Sequence, residues 1–317
     1  MRLRVGRLRR TLLAVCVAGA VVVPLSAAAR PQVPAPAPAH LAPVTATTLH
    51  TTYAAHRANA AEAATMAERY GAQDRAAALR AMATPDRHFL SFDGRGAGQA
   101  VEVLGELARA DRVAVLVPGS DTSIDTYDRF RAGALALHDE LGPRAAVVSW
   151  LGYRTPGTIS PEVLTQGRAQ DAAPALRSFV TDLHRINAHA RVSLLCHSYG
   201  TVVCGAAASG PTGLDVADIA FYGSPGTGVD RASELNTRAR VWAGRGADDW
   251  IADVPHTSAD FFGTTVGFGT DPVSRSYGAR VFAAGSGGHS DYLKPGSVAL
   301  TNMARIVLGD VKGVSHA

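Results

Sequence analysis

Ser198 lies in a sequence pattern that could activate its hydroxyl as a nucleophile. The residues from Arg191 to Leu195 form an apolar run of strand length, and those from Thr201 to Ala208 include the small residues of a helix packed closely against a sheet. A tight strand-to-helix turn holds its serine in a strained backbone conformation, and small residues such as Cys196 and Gly200 are needed two positions away on either side. The pattern predicts a nucleophile elbow, although the pentapeptide alone also fits an ordinary turn.

An elbow serine needs a base and an acid that orients the base, because serine is unreactive at its own pKa. In hydrolases with this elbow, the acid and then the histidine follow the serine along the chain, on loops after later strands. One such loop contains the adjacent carboxylates Asp248 and Asp249, and a later glycine-rich loop contains His289. Asp249 is favoured because a branched aliphatic, Ile251, follows it after one residue, but Asp248 stays open.

Other histidines have simpler explanations. His197 is adjacent to Ser198 and is held rigidly by the turn, so we do not expect it to act as the base. His256 is the main rival of His289, but it follows the acid loop so closely that a place in a lid is the better interpretation. The sequence therefore predicts a triad of Ser198, His289 and Asp249.

Two backbone N–H groups are required to stabilise the negative oxygen that forms when such a serine attacks a carbonyl group. The residue after the nucleophile, Tyr199, is expected to supply one of them. The loop after the strand at 112–117 is expected to supply the other, with Ser120 as the choice and Gly119 as the alternative. These backbone groups complete the predicted site.

From Phe89 onward, strand and helix signals alternate, which is typical of a mostly parallel sheet with helices on both faces. Strands are predicted at 89–92, 112–117, 145–151, 191–196, 218–222, 239–243 and 279–284. Helices are predicted at 99–108, 127–141, 172–186 and 297–311, and directly after Ser198. Residues 94–98 are predicted to be a turn, and the long segments 154–173 and 254–274 to cap the pocket.

The N-terminal region has a different character. Residues 1–29 are predicted to be a signal peptide, with five arginines, an apolar run and small residues suited to cleavage. An uncleaved signal anchor is the alternative, and both Sec and twin-arginine export stay open. Residues 30–48 are predicted to be a Pro/Ala-rich linker, 49–85 a helical segment broken at Gly71, and 86–317 a single α/β domain. The expected location is outside the cell or in the cell envelope, without stable membrane insertion after cleavage.

Charge and composition narrow the possible functions. The chain has a formal charge of +4, but its first 29 residues contain five arginines and no acid, so the remainder has a charge of −1. No basic stripe with interleaved aromatics is left to indicate nucleic-acid binding. No metal-ligand spacing or nucleotide-binding glycine loop is recognisable, so neither metal nor cofactor is expected. Cys196 and Cys204 could form a disulfide or remain two small buried thiols.

Three segments together resemble an exported bacterial family of alpha/beta hydrolases that was first catalogued as a domain of unknown function. They are 89–93 (FLSFD), 111–122 (DRVAVLVPGSDT) and 196–200 (CHSYG). The resemblance spans 89–311 and implies the alpha/beta hydrolase fold with Ser198 as the nucleophile. It implies little about the substrate. The family pattern has glycine where this chain has Cys196.

These observations predict a secreted serine hydrolase that cleaves a small-molecule carboxylic ester through an acyl-enzyme intermediate. Peptidase and acyltransferase reactions use the same residues and stay open. The alternative from another class is a non-catalytic binding protein of the cell envelope on the same fold. The complete order of Ser198, Asp249 and His289 favours the enzyme, and no oligomeric state is predicted.

Overall fold

The computed structural model describes residues 32–261 and 264–317, so the predicted signal peptide at 1–29 lies outside the described residues. The strands are β1 (His88–Asp93), β2 (Gln99–Leu104), β3 (Arg112–Val117), β4 (Ala145–Leu151), β5 (Arg191–His197), β6 (Asp218–Tyr222), β7 (Arg240–Gly244), β8 (Ser258–Phe261), β9 (Thr264–Gly267) and β10 (Arg280–Val281). The helices are α1 (Leu49–Tyr70), α2 (Gln73–Met82), α3 (Tyr127–Leu141), α4 (Gly167–Ile186), α5 (Tyr199–Ala208) and α6 (Val298–Leu308).

The main sheet has eight strands in the order β1-β2-β4-β3-β5-β6-β7-β10. Six neighbouring strands pair in parallel, namely β4, β3, β5, β6, β7 and β10. At one edge of the sheet, β1 pairs antiparallel with β2, and β2 pairs antiparallel with β4. A separate antiparallel hairpin consists of β8 and β9. The predicted mostly parallel sheet is confirmed, and the carboxyl ends of its central strands meet at one edge where loops can converge.

The helix predicted at 99–108 is wrong, because this part of the chain forms β2. Its β-branched residues Val101 and Val103 are buried against the core on one face. On the other face, the fully buried Glu102 accepts hydrogen bonds from Arg87 and Arg131. Antiparallel pairing with both β1 and β4 satisfies the backbone of this segment, and this long-range pairing overrides local helix preference. The glycine-rich residues 94–98 form the turn of the β1–β2 hairpin.

The two faces of the sheet are covered by different helices. The first face packs against α4 and α5, and the second face packs against α3 and α6. Side chains alternate between the faces along β5, where Leu194 belongs to the core of the first face and Leu195 to the core of the second. Helix α4 begins at Gly167, five residues before its predicted start, and β10 is limited to Arg280 and Val281.

The predicted N-terminal helical segment is present as α1 and α2, with the break at Gly71. Alanines on these helices pack closely against Phe89 and Phe92 of β1. The extended residues before α1 also lie against this cluster, since Val33 and Ala35 pack on it. The predicted linker at 30–48 is therefore docked on the domain over its described part. None of the helices in residues 32–261 and 264–317 combines the length and apolar character that a membrane crossing needs.

Candidate active site

The turn after β5 places Ser198 in a strained backbone conformation. Its φ of 52° and ψ of −128° lie in a region that costs a non-glycine residue about 1–3 kcal/mol. Two glycines lie close to the serine, Gly200 in the turn itself and Gly119 in the loop after β3. A Cβ on Gly200 would lie 2.5 Å from the carbonyl oxygen of Val117, and a Cβ on Gly119 would lie 2.6 Å from the Cβ of Ser198. These contacts explain why small residues surround the serine.

Cys196 and Cys204 form a disulfide, which the sequence left open. Both cysteines are fully buried, and their Cα atoms are 6.5 Å apart. The bond joins the end of β5 to α5 across the turn that contains Ser198. A half-cystine therefore occupies the position where the family pattern has glycine, and the turn keeps its tight geometry.

The structure brings Ser198, His289 and Asp249 together in one hydrogen-bonded chain. His289 Nε2 lies 2.9 Å from Ser198 Oγ, and His289 Nδ1 lies 2.9 Å from Asp249 Oδ1 and 3.1 Å from Oδ2. A carboxylate can only accept a hydrogen bond, so Nδ1 carries the proton and Nε2 is left to accept from the serine hydroxyl. This arrangement is the one that removes a proton from a serine during nucleophilic attack.

Asp249 and Asp248 have different environments. Asp249 is 2% exposed and precedes a short 3-10 helix, where its Oδ1 accepts a hydrogen bond of 2.9 Å from the N–H of Ile251. Asp248 is exposed to solvent. The structure thus brings the favoured carboxylate to His289 and leaves the alternative outside the site.

Tyr292 was missed by the sequence reasoning. Its hydroxyl donates a hydrogen bond to Oδ2 of Asp249 and accepts one of 3.0 Å from the N–H of Gly246. Burial by itself raises the pKa of Asp249, but hydrogen bonds from His289, Tyr292 and Ile251 outweigh burial and hold this pKa below its ordinary value. Asp249 therefore stays ionised, as an acid that orients a histidine must.

Replacing Tyr292 with phenylalanine is expected to lower the free energy of unfolding by about 1.5–3 kcal/mol at pH 7, since a buried bond to a charged group is lost. Asp249 titrates at a lower pH in the native state than in the unfolded chain, where its pKa is about 3.9. The loss is therefore complete above pH ~4 and shrinks as the pH falls through the native pKa. Urea unfolding at pH 7 and in steps below pH 4 measures this dependence.

Tyr277 offers a matched control. Its buried hydroxyl pairs with the neutral hydroxyl of Thr227 at 2.9 Å. The Tyr277→Phe substitution should lower the free energy of unfolding by about 1 kcal/mol, and this loss should change little between pH 7 and the acid range. If the cost of Tyr292→Phe were equally independent of pH, the role assigned to its bond with Asp249 would be wrong.

His197 positions the loop that carries His289. Its Nε2–H donates to the carbonyl oxygen of His289 at 2.8 Å, and its ring stacks on Tyr222 with centroids 5.0 Å apart. Burial, with a smaller contribution from nearby His289, lowers the pKa of His197 to about 3, so this ring is neutral at neutral pH. His289, and not its rival His256, bonds to Ser198 Oγ; His256 Nε2 lies 3.3 Å from the carbonyl oxygen of Ser224.

The loop after β3 lies beside Ser198 and is held firmly. The Tyr153 hydroxyl donates to the carbonyl oxygen of Pro118 at 2.7 Å. Asp121 has a positive φ of 57°, and its carboxylate accepts hydrogen bonds from the N–H and hydroxyl of Thr158. Within the described part of the chain, no hydrogen bond engages the N–H groups of Ser120 and Tyr199. Both residues line the cavity above Ser198, so their N–H groups remain the predicted donors to an oxyanion.

A cavity of about 900 Å³ lies above Ser198 and is lined mainly by apolar side chains. Both segments that were predicted to cap the pocket contribute to its walls, through Thr158, Val163, Leu164, Val254 and Phe268. Among residues 32–261 and 264–317, no group of three His, Cys, Asp or Glu side chains is arranged to hold a metal ion.

A model of the alpha/beta hydrolase family matches residues 93–259, which is more than half of the chain. The chain belongs to the alpha/beta hydrolase family. The matched residues of this alpha/beta hydrolase include Ser120, Ser198 and Asp249, and His289 lies beyond them. Together with the sheet described above, the match confirms the predicted alpha/beta hydrolase fold.

Similar proteins include the uncharacterized protein Rv2079 of Mycobacterium tuberculosis, 30% identical over 256 residues that cover 69% of this chain and 38% of the relative. This alpha/beta hydrolase therefore spans about 38% of the length of that relative. Among solved structures, esterase PE8 has a TM-score of 0.45 and 15% identity, over 65% of this chain and 96% of its own. XC6422 of Xanthomonas campestris, described as a serine hydrolase without lid, has a TM-score of 0.44 and 18% identity, over 72% of this chain and 95% of its own.

Proposed function

We propose that this protein is a secreted serine hydrolase that cleaves carboxylic esters of small molecules through an acyl-enzyme intermediate. The observation that carries the proposal is the position of His289, which bridges Ser198 Oγ and the buried carboxylate of Asp249. Membership in the alpha/beta hydrolase family supports hydrolysis as the class of reaction. Ser198, His289 and Asp249 are the catalytic residues of the proposal.

In the first half of the reaction, Ser198 Oγ attacks the carbonyl carbon of the ester, and its proton passes to His289 Nε2. Asp249 holds the histidine in the correct tautomer and stabilises the imidazolium. The N–H groups of Ser120 and Tyr199 donate hydrogen bonds to the oxygen as it becomes negative. The bond to the alcohol then breaks, the leaving oxygen takes the proton from Nε2, and the acyl group stays on Oγ.

In the second half, water attacks the acyl carbon and gives a proton to His289 Nε2. The bond between the carbon and Ser198 Oγ breaks, and Oγ takes that proton back as the carboxylic acid leaves. The strained turn supports this cycle because it keeps the serine hydroxyl at the N-terminus of α5 and within hydrogen-bond distance of His289.

Two features support export. The first 29 residues have the order of basic, apolar and small residues that signal peptides share. The disulfide between Cys196 and Cys204 is of a kind that persists in oxidising compartments and is rare in the cytosol. The proposed location is therefore outside the cell or in the cell envelope.

Hydrolysis of p-nitrophenyl acetate by the purified protein tests the proposal. We expect p-nitrophenol and acetate in equal amounts, at a rate that saturates with substrate. Added methanol shows whether water or an alcohol accepts the acetyl group, because an acyltransferase would form methyl acetate in place of acetate. A folded protein that gives no rate above the buffer blank would contradict the enzyme proposal and favour the binding protein.

A further inference from the structure

The cavity above Ser198 extends over both faces of the sheet. At its first-face end, it is lined by Val163, Tyr199 and Phe268, which pack with the core of that face. At its second-face end, it is lined by Phe130 and Leu293, which pack with the opposite core. A substrate bound across Ser198 thus has one part at each end.

The first-face end is apolar and open to solvent. The Tyr199 and Phe268 rings meet edge to face with centroids 5.7 Å apart. The Tyr199 hydroxyl is already engaged, since it donates to the carbonyl oxygen of Thr165 at 2.7 Å. Leu164 lines the cavity next to Val163 but is 55% exposed, which places it at the outer end. We call the surface of Val163, Leu164, Tyr199 and Phe268 the apolar arm.

The second-face end has a different chemistry. Arg129, Asp291 and Lys294 line the cavity there, with Lys294 Nζ 2.7 Å from Asp291 Oδ1. His289 lies towards this end, because its ring is 4.7 Å from His197, which stacks with side chains of the second-face core. Three charged side chains thus lie on the side of the histidine, whereas Asp121 and Thr158, which also line the cavity, pair with each other.

The position of His289 determines which part of an ester lies at each end. His289 must give its proton to the leaving oxygen, so the alcohol part has to lie on the histidine side. The acyl part then extends in the opposite direction, across Ser198 towards Tyr199 and Phe268. An acyl group longer than acetyl would place its methylenes on apolar side chains and could extend past Leu164 towards solvent.

We propose that the apolar arm is an acyl-chain site, so that the substrates are esters of unbranched fatty acids longer than acetate; this inference rests on the proposed function. Each methylene that the arm removes from water should raise kcat/KM about fourfold. Because only part of the chain is buried, we expect p-nitrophenyl octanoate to exceed p-nitrophenyl acetate by at least about tenfold in kcat/KM.

The test is the ratio of kcat/KM for p-nitrophenyl octanoate to kcat/KM for p-nitrophenyl acetate. It is measured in the wild type and in Leu164→Asp, with both esters below their critical micelle concentrations. The new carboxylate should weaken binding of the apolar acyl chain and lower this ratio about tenfold. Leu308→Asp is the matched control, because Leu308 is also partly exposed, at 40%, but lies far from the cavity. Its carbonyl oxygen accepts a hydrogen bond from Arg112, which begins β3, at the end of the strand opposite Ser198. We expect that variant to keep the wild-type ratio.

A wild-type ratio near one, or a ratio that Leu164→Asp leaves unchanged, would overturn the acyl-chain site while acetate hydrolysis still supports the proposed function. An equal fall of the ratio in Leu308→Asp would also overturn it, since the effect would then not be local to the arm. If neither ester is hydrolysed by the folded protein, the proposed function itself fails and the acyl-chain site fails with it.

Discussion

Replacing Ser198 with alanine is expected to lower kcat for p-nitrophenyl acetate by about 10⁶-fold, the scale seen when a serine nucleophile is removed. The hydroxyl that accepts the acyl group is then absent, and the rest of the site can stabilise only a direct attack by water. The fold should be retained, because alanine fills the same turn with one atom less. Far-ultraviolet circular dichroism and the urea midpoint verify this.

Ser290 provides the control for this experiment. It also lines the cavity and directly follows His289, but its side chain is exposed and makes no hydrogen bond in the described part of the chain. Ser290→Ala should keep kcat within about threefold of the wild type, as surface substitutions usually do. A comparable loss in Ser198→Ala and Ser290→Ala would mean that Ser198 has no special role.

The second large effect is expected for Asp249→Asn, with a fall in kcat of about 10⁴-fold. The asparagine amide can donate to Nδ1 of His289, so the ring would place its proton on Nε2 and could no longer accept from Ser198. The hydrogen bonds from Tyr292 and Ile251 would also lose their charged acceptor. Steady-state kinetics at pH 7 measures the loss.

Asp248→Asn separates the two neighbouring carboxylates. Asp248 is exposed and lies outside the hydrogen-bonded chain, so its replacement should change kcat by no more than about threefold. If Asp248→Asn were the variant that lost activity, the assignment of the acid would have to be reversed. The pair thus tests a choice that the sequence left open, between the carboxylate that bonds to His289 and its exposed neighbour.

The grouping of the serine, acid and histidine side chains could be predicted from sequence largely because each lies on a loop after a strand of one parallel sheet. Ser198 directly follows β5, Asp249 lies on the loop after β7, and His289 lies on the loop after β10. The loops after parallel strands converge at one edge of the sheet. The order of serine, acid and histidine along the chain then indicated which acidic loop and which histidine to choose. The structure brings these three side chains within hydrogen-bond distance of one another.

Other features depend on contacts between distant parts of the chain, and local patterns do not contain them. Strand β2 forms only because β1 and β4 pair on both sides of it. Tyr292, on the loop after β10, bonds to Asp249, on the loop after β7, and no motif marks that tyrosine. Whether Cys196 and Cys204 could bond depended on the distance between their Cα atoms, which is 6.5 Å in the folded turn.

The most direct test of the central claim is intact-mass detection of a fluorophosphonate adduct on the native protein and on Ser198→Ala. Fluorophosphonates phosphonylate a serine that an adjacent base activates, and the geometry places that base 2.9 Å from Ser198 Oγ. The account predicts one phosphonyl group on the native protein and none on the variant. A folded native protein that stays unmodified, or an adduct that persists in Ser198→Ala, would contradict it.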